Sequence, residues 1–156
     1  MNFEHLIQIN DPTNPLLEAL TRQQLWTGLM ARAKNPVPFL HGLESCEIVE
    51  QSAAGLLRVL RFGQATIHDR VTWESEEWVR FDVVPAANHA GGSLTISIEE
   101  PETGGLFLRF AYRTSLPEAT TGEALRYAEY VKSAYHESDI DTVRLIRDLV
   151  GTQSQH

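Results

Sequence analysis

The sequence predicts an α+β fold: a strongly curved antiparallel sheet of about seven strands with a long C-terminal helix lying across its concave face. Three observations carry that prediction. The opening "FEHLIQI" (3–9) alternates Phe3, His5, Ile7 and Ile9 against Glu4, Leu6 and Gln8, the period of a strand with one buried face. Six further strand-like runs fill residues 44–115: "CEIVEQ", "LLRVLRF", "ATIHDRVTW", "WVRFDVV", "SLTISIEE" and "LFLRFAYRTS". The breaks between them are short and rich in glycine and proline, which makes the runs consecutive hairpins of a meander. The last third then changes to a helical period over about 123–150.

Between the first strand and the meander lies one well-marked helix. "NDPTNP" ends the strand, and "LTRQQLW" opens the helix. Thr21 is placed to cap it, Gln24 completes a capping box, and Leu20 can staple to Leu25. The helix is expected to run to about Ala33, where "NPVPFL" stops it through Pro36 and Pro38, with room for a short second helical turn. A linker with Pro117 and Gly122 leads into the final helix. No repeat or internal boundary interrupts residues 1–150, which read as one domain, with 151–156 as a frayed tail.

Composition limits the use of such a domain. At 156 residues the chain is long enough to bury a substantial core. Its net charge of −8 argues against nucleic acid and against a polybasic attachment to membranes. No run approaches the ~20 apolar residues that span a bilayer, so no membrane insertion is expected. The start, "MNFEHLIQINDP", lacks the order of a signal peptide, and the single cysteine, Cys46, forbids an intrachain disulfide. A cytoplasmic location is therefore expected. Cys46, inside the strand-like "ESCEIVE", reads as a small core residue rather than a nucleophile.

Several stretches taken together resemble the AtaL-like family of the SRPBCC superfamily, which includes START domains, aromatic polyketide cyclases and the birch-pollen-allergen type. They are "FEHLIQIND", "LTRQQLWTGL", "FGQATIHDRVTWE", "HAGGSLTISIEEP" and "YVKSAYHESDIDTVRLIRDL", spread over essentially the whole chain. The resemblance implies a helix-grip, START-like fold with a deep, mostly apolar cavity beneath the C-terminal helix. It implies no catalytic residue.

The C-terminal helix raises the functional question by itself. With Tyr135 as the centre of one face, Ala124, Ala128, Val131, Asp139, Thr142, Ile146 and Leu149 fall within about 40° of it, and Ser138 lies just beyond. Arg126, Glu137, Arg144 and Arg147 point the other way. Asp139 and Thr142 thus sit in the middle of the inward stripe, where a plain core would want apolar residues. An inward carboxylate needs a partner, because an unpaired buried charge is costly. Strand arginines 58, 61, 70, 80 and 109, with His68, Tyr112, Ser93 and Thr95, are the candidates. In one reading Asp139 clips the helix to the sheet. In the other, Asp139 and its partner are polar fixtures in an apolar cavity that orient a ligand.

The candidate cavity-lining residues are accordingly Tyr135, Asp139, Thr142, Ser138, Val131, His68, Arg109 and Tyr112. In "IHDR" (67–70), His68 and Arg70 share one strand face and Asp69 takes the other, and the sequence leaves open which face points inward. "NHAGGS" (88–93) precedes a strand rather than a helix, so its glycines serve a turn or bulge and not a phosphate cradle, with His89 at the cavity mouth as the functional alternative. The six histidines show no metal-ligand spacing, and neither a metal nor a cofactor is expected. Ile140 points outward by phase and permits contact with a second copy in a homodimer.

Three uses follow. The first, favoured by the polar break in the helix stripe, is binding of a small, largely apolar or aromatic molecule between sheet and helix. The second is a cyclase- or dehydratase-like enzyme in which Asp139, Tyr135, His68 and a strand arginine supply acid–base and orienting groups. The third is a non-catalytic interaction protein whose own side chains fill the space.

Overall fold

The computed structural model describes residues 1–87 and 90–154, with side chains as far as Gly151. Its elements run β1 (Asn2–Asn10), α1 (Arg22–Lys34), β2 (Ser45–Ser52), β3 (Gly55–Phe62), β4 (Ala65–Glu74), β5 (Trp78–Val83), β6 (Gly92–Glu102), β7 (Gly105–Thr114) and α2 (Gly122–Ser154). The seven strands form one sheet in the order β1-β7-β6-β5-β4-β3-β2, with every neighbouring pair antiparallel. The meander from β2 to β7 is therefore continuous, and β1 joins it at the β7 edge.

Register shifts at Gln8/Asn10, Ile48/Glu50 and Glu99/Glu102 introduce bulges in β1, β2 and β6. Each extra residue bends its strand and increases the local twist, which curves the sheet. The concave face collects the buried alternates: Leu94, Ile96 and Ile98 of β6, and Leu106, Leu108, Phe110 and Tyr112 of β7. The parity of β1 is as its alternation predicted, with Phe3, His5 and Ile7 turned towards the core and Glu4, Leu6 and Gln8 exposed.

Helix α1 begins with the capping box its sequence announces. Thr21 Oγ1 accepts from the Gln24 backbone N–H at 3.0 Å, and Gln24 Oε1 accepts from the Thr21 N–H at 2.9 Å. The bulge in β1 turns Asn10 inward, where its amide donates to Leu20 O at 2.7 Å and accepts from Leu20 N at 2.9 Å. This clamp ties the start of α1 to the end of β1. Beyond Asn35 the chain makes a single helical turn, the short one the sequence leaves room for, in which Pro36 O accepts from Phe39 N at 2.8 Å and Leu40 N at 3.1 Å.

Helix α2 buries Asp139, Thr142, Val143, Ile146 and Val150, while in its first half only Ala128 is fully buried. It crosses α1 where Gly28 faces Ile146; a Cβ on Gly28 would lie 2.4 Å from Ile146 Cγ2. Arg147 fastens the same half to β1 by donating to Ile9 O, and to the segment before α1 by donating to Glu18 O at 2.7 Å. The helix runs to Ser154, and residues 155–156 lie outside the described residues.

Candidate functional site

Among the described residues, Asp139 has no arginine bonded to it. It is 1% exposed, and its carboxylate accepts the Tyr112 hydroxyl, whose oxygen lies 2.7 Å from Oδ1 and 2.8 Å from Oδ2. On the other side His5 Nε2 stands 2.6 Å from Oδ2, placed to donate an N–H. Three elements thus meet here: β1 supplies His5, β7 supplies Tyr112, and α2 supplies the acid. Register explains the first two, because β1 pairs with β7 and the inward residues of both strands converge on one patch. Aromatic contacts hold the patch together. Phe3 stacks on Tyr112 at 5.0 Å, Tyr135 lies 4.5 Å from Tyr112, and His136 lies 4.9 Å from His5.

The electrostatics follow from burial. Burial raises the Asp139 pKa above the ordinary aspartate value, and the hydrogen bonds from Tyr112 and His5 only partly offset it. Burial, with the neighbouring Asp139 charge second, pushes the Tyr112 hydroxyl far above its usual range. Tyr112 therefore holds its proton and serves as a donor.

A second polar set lies across the concave face. Arg58 of β3 and Asp69 of β4 are direct cross-strand neighbours, and both are buried. Arg58 Nε meets Asp69 Oδ1 at 2.8 Å, Nη2 meets Oδ2 at 2.5 Å, and Nη1 donates to Ala33 O at 2.8 Å. That last bond joins the sheet to the end of α1. The guanidinium of Arg32, on α1, lies 4.8 Å from the Phe81 ring centroid, and that of Arg58 lies 5.1 Å from the same ring.

Between these two polar sets opens a pocket of about 380 Å³, within the range of small-molecule sites. Its apolar walls include Leu40, Leu60, Phe62, Ile67, Phe81 and Leu94, and its polar lining includes Arg32, Arg58, Asp69, Tyr112, Ser93 and Ser138. Gly92 borders it at φ 147°, where a Cβ would lie 2.8 Å from Arg113 O, so the close approach of β6 to β7 needs a glycine there. A second pocket, of about 750 Å³, lies between segment 37–43 and α2; Leu40 and Ser138 line both. Among the described residues no group of three or more His, Cys, Asp or Glu side chains converges as metal ligands do.

The expected lining residues separate into three groups. Tyr112, Tyr135 and Ser138 border the pocket. Asp139 lies behind Tyr112, Thr142 is fully buried with no hydrogen-bond partner for its hydroxyl among the described residues, and Val131 is half-buried, none of the three bordering the pocket. His68 and Arg109 require correction, because the strand pleat turns both to the outer face. Asp69 takes the inward phase of β4, leaving His68 exposed, and Arg109 is bound by Glu99 at 2.5 Å and Glu4 at 2.7 Å. His89 lies outside the described residues. Ile140 is half-buried rather than fully outward.

Two residues escaped the sequence reading, His5 and Arg32. His5 stands at an inward position of the alternation already recognised in 3–9. Arg32 completes the buried set Leu25, Gly28, Leu29, Arg32 and Ala33, which recurs at helical spacing.

Comparison with known proteins adds to this geometry. The model of the family described as "Acetylaranotin biosynthesis cluster protein L" (AtaL) matches residues 7–153. No curated protein sequence matches the chain. Among solved structures, the Zhui aromatase/cyclase from Streptomyces sp. R1128 is similar at a TM-score of 0.61 and 16% identity, over 92% of this chain and 90% of that one. The di-domain aromatase/cyclase StfQ of the steffimycin biosynthetic pathway is similar at 0.67 and 11% identity, over 99% of this chain and 52% of that one. This chain therefore spans about half of StfQ. TTHA0849 from Thermus thermophilus is similar at 0.59 and 16% identity, over 93% and 94% of the two chains. At such identities the likeness is one of fold, the helix-grip arrangement of curved sheet and long C-terminal helix.

Proposed function

The chain belongs to the AtaL family, and from that footing we propose that it binds a small, largely apolar or aromatic molecule in the pocket between sheet and helices. The observation that carries this reading is the pocket of about 380 Å³, with its apolar walls and a few polar groups set among them. A space filled by the protein's own side chains, as an interaction protein would have, fits that lining poorly. A cytoplasmic setting belongs to the same reading; the single cysteine suits a reducing compartment. The test is gentle purification, native mass spectrometry, and mass analysis of whatever is released on denaturation. A stoichiometric small molecule of apolar or aromatic character is the expected result. A bare protein that also ignores a panel of apolar probes would overturn it.

A second reading has its own observation in its favour. Tyr112 borders the pocket with its hydroxyl backed by Asp139 and His5; when Asp139, whose pKa burial raises, carries a proton, the hydroxyl is freed to donate a hydrogen bond to a bound carbonyl. The aromatase/cyclase names of two structural neighbours agree with chemistry of this kind on this scaffold, though fold alone does not transfer activity. If the protein is such an enzyme, Tyr112→Phe should retain the molecule identified above and lose its conversion. Unchanged conversion in that variant would remove Tyr112 from the chemistry.

A further inference from the structure

Resting on the binding reading above, we propose that the ligand carries an anionic oxygen group, a carboxylate being the simplest, and that Arg32 receives it. The reason is the distribution of charge around the pocket. Arg58 has an acceptor on each of its three nitrogens: Asp69 takes Nε at 2.8 Å and Nη2 at 2.5 Å, and Ala33 O takes Nη1 at 2.8 Å. Asp139 is likewise occupied, by Tyr112 at 2.7 Å and His5 at 2.6 Å. Arg32 is different. It borders the same pocket and is 5% exposed, yet its side chain makes no hydrogen bond to any described residue, and its Nε is buried without a partner among them.

A guanidinium has five N–H donors in a rigid fork shaped for two oxygens. Burying one with no acceptor is costly, and native structures rarely do so without a function for it. The Phe81 ring 4.8 Å away contributes a cation–π contact but accepts no N–H in the guanidinium plane. The second arginine on that ring adds positive potential, and the Asp69 carboxylate, which reaches Arg32 only through space, is hydrogen-bonded to Arg58. Asp139 acts on Arg32 through space, but its oxygens are committed elsewhere. An anionic ligand would supply the missing acceptor and bring a negative charge into contact with the guanidinium, while the apolar walls take up its body.

The test uses a matched pair of probes, 2-naphthoate and its neutral amide, titrated calorimetrically into the full-length protein. Wild type should bind the acid roughly tenfold or more tightly than the amide, as expected for a hydrogen bond to a charged group. Arg32→Met should bring the two affinities together while still binding the amide, and Arg32→Lys should keep part of the preference. Arg32→Met is expected to fold, since methionine fits the packing against Phe81 and removes a guanidinium that no described residue satisfies. Equal affinities in wild type, or a preference for the acid that survives in Arg32→Met, would overturn the role of Arg32 and leave the pocket reading standing. If neither probe binds wild type, the pocket reading fails and this one with it.

Discussion

The hydroxyl of Tyr112 lies against both carboxylate oxygens of Asp139, at 2.7 and 2.8 Å, and joins the β7 strand to the middle of α2. Among the described residues of the sheet, His5 alone shares that carboxylate with it. Because burial raises the Asp139 pKa, the folded chain keeps a proton on this group that the unfolded chain has already released. Its contribution to stability is therefore greatest below the ordinary aspartate value and declines as pH rises through the raised folded value. Asp139→Asn removes that decline. Urea unfolding of wild type and variant from pH 4 to pH 7 should show the variant gaining on wild type as pH increases. A constant difference would mean the carboxyl is not raised. Asp139→Ala, in contrast, strands the Tyr112 hydroxyl and should cost about 1–3 kcal/mol.

The Arg58–Asp69 pair is buried on both sides, so its members depend on each other. Arg58→Met leaves the Asp69 carboxylate alone in the core and should cost about 3–5 kcal/mol, as should Asp69→Leu for the reciprocal reason. The double variant should recover most of either loss. Denaturant titration of the four proteins in a double-mutant cycle measures the coupling, and simple additivity would contradict a paired burial.

Gly28 marks the crossing of α1 and α2. In an ordinary helix, alanine would be favoured there by about 1 kcal/mol. Here its methyl meets Ile146 at 2.4 Å, so Gly28→Ala should instead destabilise by about 1–3 kcal/mol. Adding Ile146→Ala frees the space, so Gly28→Ala should be far less harmful in that background. A stabilising Gly28→Ala in wild type would show that the two helices separate easily.

Asn10 fixes where α1 begins. Replacing it by alanine leaves the Leu20 N–H and C=O without their buried partners, for a loss of about 1–3 kcal/mol in thermal or chemical unfolding. Asn10→Asp keeps the acceptor but sets an oxygen against the Leu20 carbonyl, and should not rescue. Full stability in either variant would separate the clamp from the placement of α1.

Much of this molecule was legible before its structure. The inward parity of β1, the strand divisions of 44–115, the Thr21–Gln24 box and the inward turn of Asp139 and Thr142 all follow from local periods. Each is fixed by the few residues around it, since side chains on a strand alternate and those on a helix recur every three or four positions. The expectation of a partner for Asp139 was also sound in kind, and Tyr112 was among the candidates. The choice of arginine as the leading type was not. Of the arginines considered, Arg58 is taken by Asp69 and Arg109 faces outward to Glu4 and Glu99.

The sequence by itself determined the elements, their order and the inward face of β1 and of the second half of α2, and left the phase of β4 open. Tertiary structure decided which charges meet. His5 and Asp139 are 134 residues apart and Tyr112 and Asp139 are 27 apart. Their meeting depends on strand register, on the bulges that curve the sheet and on the angle at which Gly28 lets α2 cross α1. The same long-range geometry gives Arg58 an acid and leaves Arg32, on the same buried stripe as Leu25, facing open space. A local period says that a side chain points inward; only the closed sheet and the seated helix say what it finds there.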